Sequence, residues 1–329
     1  MQQRMEQMKE QVLKMLEADG GYVSGEYLSR MLGVSRTAVW KVIKRLREEG
    51  YIIDSVTNKG YCLKGKPDFL DENIIGRDIN TAVIGTKIEV LKTVDSTNEE
   101  IKRRASNGAK SGLIIAAECQ TGGKGRFGRK WESESGEGIY FTFLLRPGLP
   151  PADIASITLA AGYAVCEALR EYSGVEAKIK WPNDIVINNK KVCGILTEMA
   201  AQMDMVDYVA VGIGINVNNK SFSEDIKWKS TSVFIETGKL TERNLLFREV
   251  IKKLDLIISE FLTGIPEERK THFKELCITL GRSVTAMRGG TEIKGTAVDV
   301  SSGGDLIIRQ SSGELVSVNS GEVVVQGIY

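Results

Sequence analysis

Residues 118–131 read ECQTGGKGRFGRKW and place four glycines and four basic side chains between two apolar runs. Glycine lets the backbone approach a ligand closely and adopt positive φ. Clustered backbone N–H groups and cationic side chains form a concave site for phosphate or carboxylate. The stretch therefore predicts an anion-binding loop, and a solvated basic hairpin tip is the alternative.

The better-known phosphate loops do not fit this stretch. Gly123 to Gly128 matches G-x-G-x-x-G, which opens a helix in dinucleotide-binding folds, but here a strand-like run follows at 139–143. A Walker A loop needs Ser or Thr after Gly-Lys, whereas Gly125 follows Lys124. A protein kinase would also carry His-Arg-Asp and Asp-Phe-Gly, and the sequence has neither.

Strand-like and helix-like segments alternate on both sides of the loop, from about residue 70 to 270. Asn188-Asn189 suits a tight hairpin turn. These patterns predict a mixed, largely antiparallel sheet covered by helices. The predicted helices span 96–106, 152–172 and 241–262, and the predicted strands span 112–117, 139–145, 178–181, 192–198 and 206–217.

The first 65 residues have the pattern of a winged helix-turn-helix. Two short helices meet at Leu32-Gly33-Val34-Ser35, and a hairpin with a turn at 58–60 follows. Residues 1–66 hold 12 Lys/Arg against 8 Asp/Glu, which suits nucleic acid. We predict DNA binding, which usually requires a homodimer; a protein-contact module is the alternative. The predicted DNA-binding residues are Ser35, Arg36, Thr37, Ala38, Lys41, Lys44 and Arg45.

The last part of the chain predicts a small antiparallel β-barrel. Short alternating strands at 283–287, 292–300, 305–309 and 315–318 are separated by Gly- and Ser-rich turns. The predicted domains are therefore 1–65 for DNA binding, 66–275 for catalysis and 276–329 for the C-terminal barrel.

Composition excludes several classes of site and compartment. His272 is the single histidine, so His-rich zinc sites are excluded, and its neighbourhood predicts a solvated helix face. The five cysteines are scattered without a C-x-x-C pair, and no signal peptide or membrane-spanning apolar stretch occurs. These features predict a cytoplasmic protein that interacts with no membrane.

Five motifs in order resemble those of the biotin protein ligases across the whole chain. They are Asp95-Ser96-Thr97-Asn98, the loop from Gly123 to Trp131, Lys180-Trp181-Pro182-Asn183-Asp184, Lys191-Val192-Cys193-Gly194-Ile195-Leu196 and Gly212-Ile213-Gly214-Ile215-Asn216. With a DNA-binding module in front, the chain resembles the bifunctional ligase-repressors of the biotin operon. The resemblance implies an α+β multidomain fold with a class II synthetase-like catalytic domain and an SH3-like C-terminal domain.

The resemblance implies an ATP-dependent, C–N bond-forming ligase. Biotin and ATP would form biotinyl-5'-AMP and pyrophosphate, and the biotinyl group would pass to a lysine of a biotin carboxyl carrier protein or domain. Biotinyl-5'-AMP would also act as corepressor at operator DNA. Mg²⁺ would arrive with the nucleotide, because no direct metal motif is present. The biotin carboxylate is already ionised near neutral pH, so no catalytic base is needed.

The resemblance also implies the site residues. Lys191 and Arg126 would be catalytic. Locally, Ser96 or Thr97 followed by an acidic residue also fits a capping box, and Lys191 also fits a solvated lysine beside a turn. The implied biotin-binding residues are Ser96, Thr97, Asn98, Gln120, Gly123, Lys124, Gly125, Arg126, Lys191 and Gly194; the implied ATP-binding residues are Arg126, Arg129, Trp131, Lys180, Asn183, Asp184 and Asn216.

Two other functions remain open at this point. A lipoate ligase shares the general fold and chemistry but lacks this glycine-arginine loop. A ligand-sensing repressor would bind biotin or a nucleotide without catalysis, and the intact cationic positions argue against it.

Overall fold

The first 68 residues of the computed structural model fold as one unit, and Phe69–Tyr329 form a second. The structure describes residues 2–48, 50–65, 67–151, 154–202, 205–288, 291–319 and 321–329. The predicted domain boundaries at 65/66 and 275/276 stay predictions, since the catalytic segment and the C-terminal segment lie in the same unit.

The first unit contains three helices and a hairpin. Ser24 caps the second helix by accepting a hydrogen bond from the Tyr27 N–H at 3.1 Å, and Gly33 ends it at φ 62°. Ser35 Oγ likewise accepts from the Ala38 N–H at the start of the third helix. The elements are α1 Gln2–Asp19, α2 Gly25–Leu32, α3 Arg36–Glu48, β1 Ile52–Val56 and β2 Gly60–Gly65.

One apolar core joins these helices and the hairpin. Val39, Val42, Ile43 and Leu46 on α3 are fully buried with Leu28 of α2, which is the spacing of an amphipathic helix. The hairpin strands pair antiparallel. This arrangement confirms the predicted winged helix-turn-helix.

The second unit is built on a seven-stranded sheet with the order β3-β4-β5-β9-β8-β7-β6. Only β3 and β4 run parallel, and the other neighbours pair antiparallel. The predicted mixed, largely antiparallel sheet is therefore confirmed. The strands are β3 Lys87–Val94, β4 Leu113–Gln120, β5 Gly138–Leu145, β6 Lys178–Lys180, β7 Asp184–Ile187, β8 Lys190–Gln202 and β9 Met205–Asn216.

Helices cover both faces of this sheet because its central strands are apolar on both sides. Along β4, Ile114 packs in the larger core with the long helices, whereas Leu113 and Ile115 pack in a smaller cluster with Ile101 of α5. This alternation follows the two-residue period of a strand. The helices of the unit are α4 Glu72–Ile75, α5 Thr97–Ser106, α6 Ile154–Ser173, α7 Val233–Thr237, α8 Arg243–Thr263 and α9 Glu267–Leu276.

The chain ends in a five-stranded sheet with the order β13-β12-β11-β10-β14, antiparallel throughout. Trp181, in the turn after β6, is buried against it and donates from Nε1 to the Gly304 carbonyl at 2.9 Å. The predicted all-antiparallel C-terminal domain is confirmed. Its strands are β10 Ser283–Arg288, β11 Thr291–Val300, β12 Leu306–Arg309, β13 Leu315–Val318 and β14 Val323–Val325.

His272 is half-buried on α9. The expectation for His272 was incomplete: it lies on α9, but its Nδ1 is 2.9 Å from the Tyr163 hydroxyl, so the ring packs on α6 as well as facing solvent. Among the residues that the structure describes, no helix is long and apolar enough to cross a membrane.

Candidate functional site

A cleft open to solvent lies where α5 begins, β4 ends and the glycine-rich loop passes over β8 and β9. Polar and cationic side chains line one part and glycines of β8 and β9 line another. The lining residues are Ser96, Thr97, Asn98, Gln120, Lys124, Gly125, Arg126, Trp131, Asn183, Lys191, Gly194, Ile195, Leu196, Gly212, Ile213 and Gly214.

The start of α5 is fixed by Gln120 at the end of β4. The amide oxygen of Gln120 accepts from the Thr97 N–H at 2.8 Å and from the Thr97 hydroxyl at 3.1 Å. Ser96 occupies the N-cap position without a side-chain cap bond. The capping-box alternative is therefore wrong, because Glu99 binds Lys102 and Lys124 instead.

Asn98 anchors this corner of the cleft rather than presenting its amide to it. Its Nδ2 donates to Glu198 at 2.8 Å, and its Oδ1 accepts from the Thr142 hydroxyl at 2.6 Å. A Cβ on Gly212 would lie 1.9 Å from that oxygen. The strand β9 thus needs glycine at 212 for Asn98 to reach its partners.

The first end of the loop is bonded to the end of β3, and the two ends of the loop are bonded to each other. The N–H groups of Thr121 and Gly122 donate to the carbonyls of residues 94 and 95 at 2.9 and 2.7 Å, and the Trp131 N–H donates to the Gly123 carbonyl at 3.0 Å. Below the loop, the Glu118 carboxylate accepts from the fully buried Arg243 at 2.9 Å. The loop therefore has a defined path over the cleft.

The indole of Trp131 lies on a floor made by two paired glycines. Gly194 of β8 and Gly214 of β9 are direct neighbours in the sheet. A Cβ would come within 3.0 Å of the indole at Gly194 and within 2.5 Å at Gly214. The indole Nε1 is buried and has no hydrogen-bond partner in the described part of the chain, so the wall of the cleft contains an unpaired donor.

Arg126 reaches across the cleft from the loop. Its guanidinium donates to Asn183 Oδ1 at 2.8 Å and to the Gly321 carbonyl at 2.9 Å. Burial is the main reason that its pKa lies below the ordinary value. Phe127 next to it has φ 58° and a largely exposed ring.

Lys191 and Asp184 form an ion pair at the edge of the cleft. Lys191 Nζ lies 2.6 Å from Asp184 Oδ1. Burial by itself would raise the pKa of Asp184, but the charge of Lys191 and the hydrogen bonds from Lys191 and Tyr329 hold it below the ordinary value. The backbone of Lys191 is fixed as well, because its N–H donates to the Lys229 carbonyl at 2.7 Å.

The hairpin of β6 and β7 sets Lys180 opposite Asp184. Directly opposed residues of an antiparallel pair project on the same face of the sheet. The Lys180 ammonium is buried, which lowers its pKa below the ordinary value. Two cations, Lys180 and Lys191, therefore flank one half-buried carboxylate.

Comparison with known proteins identifies the family. Family models match a helix-turn-helix domain over residues 9–62, the biotin/lipoate A/B protein ligase family over 90–216 and the biotin protein ligase C-terminal domain over 279–325. The bifunctional ligase/repressor BirA of Bacillus spizizenii is 35% identical over 90% of this chain and 92% of its own length. The chain belongs to the biotin protein ligase family.

Further relatives agree with this assignment. The bifunctional ligase/repressor BirA of Escherichia coli is 30% identical over 90% of this chain and 90% of its own length. The solved biotin protein ligase of Aquifex aeolicus in complex with biotin and ATP has a TM-score of 0.64 and 33% identity, covering 73% of this chain and 99% of that one.

The cleft of this biotin protein ligase brings together most of the residues expected at the site. Gly123 is not a lining residue, but its carbonyl accepts the hydrogen bond from the Trp131 N–H. Asn216 is not a lining residue either; it is buried and donates from Nδ2 to the Thr231 carbonyl at 3.0 Å. Arg129 is exposed and binds Glu322. Lys180 and Asp184 are not among the lining residues, but Asp184 pairs with Lys191, which is. The individual roles of all these residues stay predictions.

Sequence reasoning assigned no role to two groups of site residues, the first of which lies within the quoted motifs. One is the β8–β9 floor of Ile195, Leu196, Gly212, Ile213 and Gly214; repeated glycines inside predicted strands are a sequence signal of close backbone approach. The other is Gly321, Glu322 and Tyr329 of the C-terminal segment. No local pattern points to these three, because their contacts are long-range.

The DNA-binding residues predicted for this ligase lie on α3, except Ser35. Arg36, Thr37, Lys41 and Lys44 are exposed on one helix face, whereas Ala38 and Arg45 are half-buried. Arg36 pairs with Glu26, and Ser35 is exposed before the helix. Trp40, which the sequence reasoning missed, is half-exposed on the same face, and its helical spacing from Arg36 and Lys44 was the available signal.

Proposed function

We propose that this chain activates biotin with ATP and transfers the biotinyl group to a lysine of a biotin carboxyl carrier protein or domain. The observation that supports this most is the convergence of Arg126 and Lys191 on one cleft that also contains Ser96, Thr97 and Gln120. Cations for a carboxylate and a phosphate thus share one cavity with uncharged polar groups suited to a ureido ring.

The biotin half of the cleft is its α5 side. The Gln120 amide is held by Thr97 and by Ser133, at 2.8 Å from Nε2 to Oγ, so it offers fixed geometry rather than a mobile side chain. The buried hydroxyl of Ser96 makes no cap bond and can meet the ureido group. The Trp131 indole, which lies on Gly194 and Gly214, would cover the acyl chain and the adenylate of the bound intermediate.

The nucleotide half is the side of Asn183, Lys180 and Asp184. Mg²⁺ prefers oxygen ligands and is commonly bound by one or two carboxylates together with substrate phosphates. The half-buried carboxylate of Asp184 would hold it. When bound, Mg²⁺ supplies neutralisation of charge on the transferring phosphate.

The reaction needs placement and charge neutralisation rather than a base. A carboxylate oxygen of biotin attacks the α-phosphorus of ATP, the bond to the bridging oxygen breaks, and pyrophosphate leaves with the electron pair. In the second step the carrier lysine amine attacks the acyl carbon, AMP leaves, and the amine loses a proton. Lys191 would hold the carboxylate, and Arg126 would hold both the carboxylate and the α-phosphate.

A carrier-labelling assay tests this proposal. Wild-type protein with biotin, ATP and Mg²⁺ should biotinylate a purified biotin carboxyl carrier domain on one lysine, and mass spectrometry should find the added biotinyl mass. A carrier domain with that lysine changed to arginine is the control. Absence of labelling with the intact carrier, while lipoyl domains are modified, would favour the lipoate ligase.

We further propose that the first unit makes the protein a cytoplasmic repressor that binds operator DNA as a homodimer when biotinyl-5'-AMP is bound. The exposed basic face of α3 supports this. Arg47 also braces α3 against the hairpin, donating from Nε to the Ile53 carbonyl at 2.9 Å. The adenylate would act as corepressor if it favours the dimer, by thermodynamic linkage.

Fluorescence anisotropy with the promoter DNA of the biotin genes tests the repressor role. Biotinyl-5'-AMP should tighten binding, and Lys41→Ala should weaken it and reduce the salt dependence by about one phosphate contact. Lys14→Ala, exposed on α1, is the matched control. Equal affinity with and without the adenylate would contradict the coupling, and adenylate binding without any turnover would favour a sensor that lacks catalysis.

A further inference from the structure

Tyr329 of the C-terminal segment contacts the nucleotide half of the cleft. Its hydroxyl donates to Asp184 Oδ2 at 2.5 Å, and the Lys180 ammonium lies 3.8 Å from the centre of its ring. A cation over an aromatic face at this distance is attracted to the ring. One side chain therefore touches two of the residues expected to face ATP and its metal.

A tight turn after β14 brings Tyr329 to this place. Gly327 has φ 77°, in the left-handed region, and the Ile328 N–H donates back to the Val325 carbonyl at 3.2 Å. Ile328 is buried in the core of the C-terminal sheet. Val325 pairs with Val284 of β10. The tyrosine is thus fixed to the rigid part of the sheet.

The contacts around Asp184 are divided between its two oxygens. Lys191 faces Oδ1, and the phenol of Tyr329 donates to Oδ2. An ion pair on one oxygen and a hydrogen bond on the other restrict the plane of the carboxylate. The ring fixes the Lys180 ammonium at the same time.

We propose that Tyr329 is a positioning residue for the nucleotide half-reaction, holding Asp184 and Lys180 in the orientation that receives the polyphosphate and its metal ion. Two neighbouring contacts support the same assignment: Arg126 donates to the Gly321 carbonyl and Arg129 pairs with Glu322. This inference rests on the proposed adenylation of biotin.

Steady-state kinetics of Tyr329→Phe tests the hydroxyl, because phenylalanine keeps the ring under Lys180. The loss of a hydrogen bond to a charged group predicts a rise in the KM for ATP of about tenfold, with the KM for biotin unchanged. Tyr329→Leu removes the ring as well and should raise the KM for ATP further. Tyr208→Phe, on β9 outside the cleft lining, is the matched control and should behave as wild type.

Three results would overturn the assignment. An unchanged KM for ATP in both variants would mean that the contact carries no function. Equal rises in both KM values with a lower Tm would mean a purely structural role. A lower KM for ATP would mean that the ring obstructs the nucleotide.

A binding measurement separates this inference from the proposed function. Calorimetry with the α,β-methylene analogue of ATP, Mg²⁺ and biotin requires no turnover. Weaker analogue binding by Tyr329→Phe supports the positioning role, whether or not the protein forms an adenylate. A failure to form the adenylate would count only against the proposed ligase activity. Equal binding by variant and wild type refutes the positioning role alone.

Discussion

Gly214→Ala should loosen the cover over the cleft with little effect on the fold. A Cβ at Gly214 would lie 2.5 Å from Nε1 and Cε2 of Trp131 and 2.8 Å from Cζ2. Carbon atoms in contact lie about 3.5 to 4.0 Å apart, so the indole must withdraw by roughly 1 Å. Extra methyl groups in well-packed places cost about 1 to 3 kcal/mol.

This free-energy cost should weaken the retention of the bound biotinyl-5'-AMP. The indole lies on the sheet from a loop and can move away without unfolding the core, so the free energy of unfolding should change little. If the whole of this free energy destabilises the position of the Trp131 indole over the cleft, release of biotinyl-5'-AMP should become about 5- to 150-fold faster. A chase with unlabelled adenylate measures this rate, and chemical denaturation measures stability.

Gly162→Ala is the control for the same change in the same unit. Its Cβ would meet only Ile195 at 3.5 Å and Ile185 at 3.8 Å, and alanine is favoured over glycine within a helix by about 0.5 to 1 kcal/mol. Its adenylate release should match wild type. Release from Gly214→Ala at the wild-type rate would refute the reasoning that Trp131 covers the bound intermediate.

Three further predictions concern single side chains. Lys191→Ala should abolish detectable adenylate formation from biotin and ATP, and a wild-type rate would remove its catalytic role. Arg126→Gly should form the adenylate but release it quickly, since both of its contacts across the cleft are lost; retention like wild type in the same chase would contradict this. Asp95 has its pKa lowered to about 2 by the Arg103 hydrogen bonds. The stabilisation from Asp95 is therefore complete above its ordinary pKa near 4 and lost as pH falls towards about 2. Because the pair is exposed, Asp95→Asn should cost less than about 1 kcal/mol at pH 7, with a smaller difference at pH 2.5 by urea denaturation.

The fold could be predicted from the sequence because its signals are local. The winged helix-turn-helix follows from Gly33, the Ser35 cap and the basic helix after it. The central sheet follows from apolar runs separated by turn residues such as Asn188 and Asn189, both of which adopt positive φ. The antiparallel C-terminal sheet follows from short strands between glycine-rich turns. In each case, one stretch of chain determines one element.

The site could be predicted only in part, because its geometry is not local. The resemblance to the family pointed to Arg126, Lys191 and Gln120, and these residues do line one cleft. The sequence could not show that Gln120 rather than Glu99 satisfies the start of α5. Nor could it show that Tyr329 reaches Asp184, since this contact spans 145 positions of the chain.

Adenylate formation with ATP labelled at the α-phosphate tests the central claim most directly. The protein should be incubated with Mg²⁺ and either biotin or lipoate, and the products separated by thin-layer chromatography. We expect labelled acyl-AMP with biotin and none with lipoate. Labelled product with lipoate alone, or no labelled product with either acid, would contradict the account.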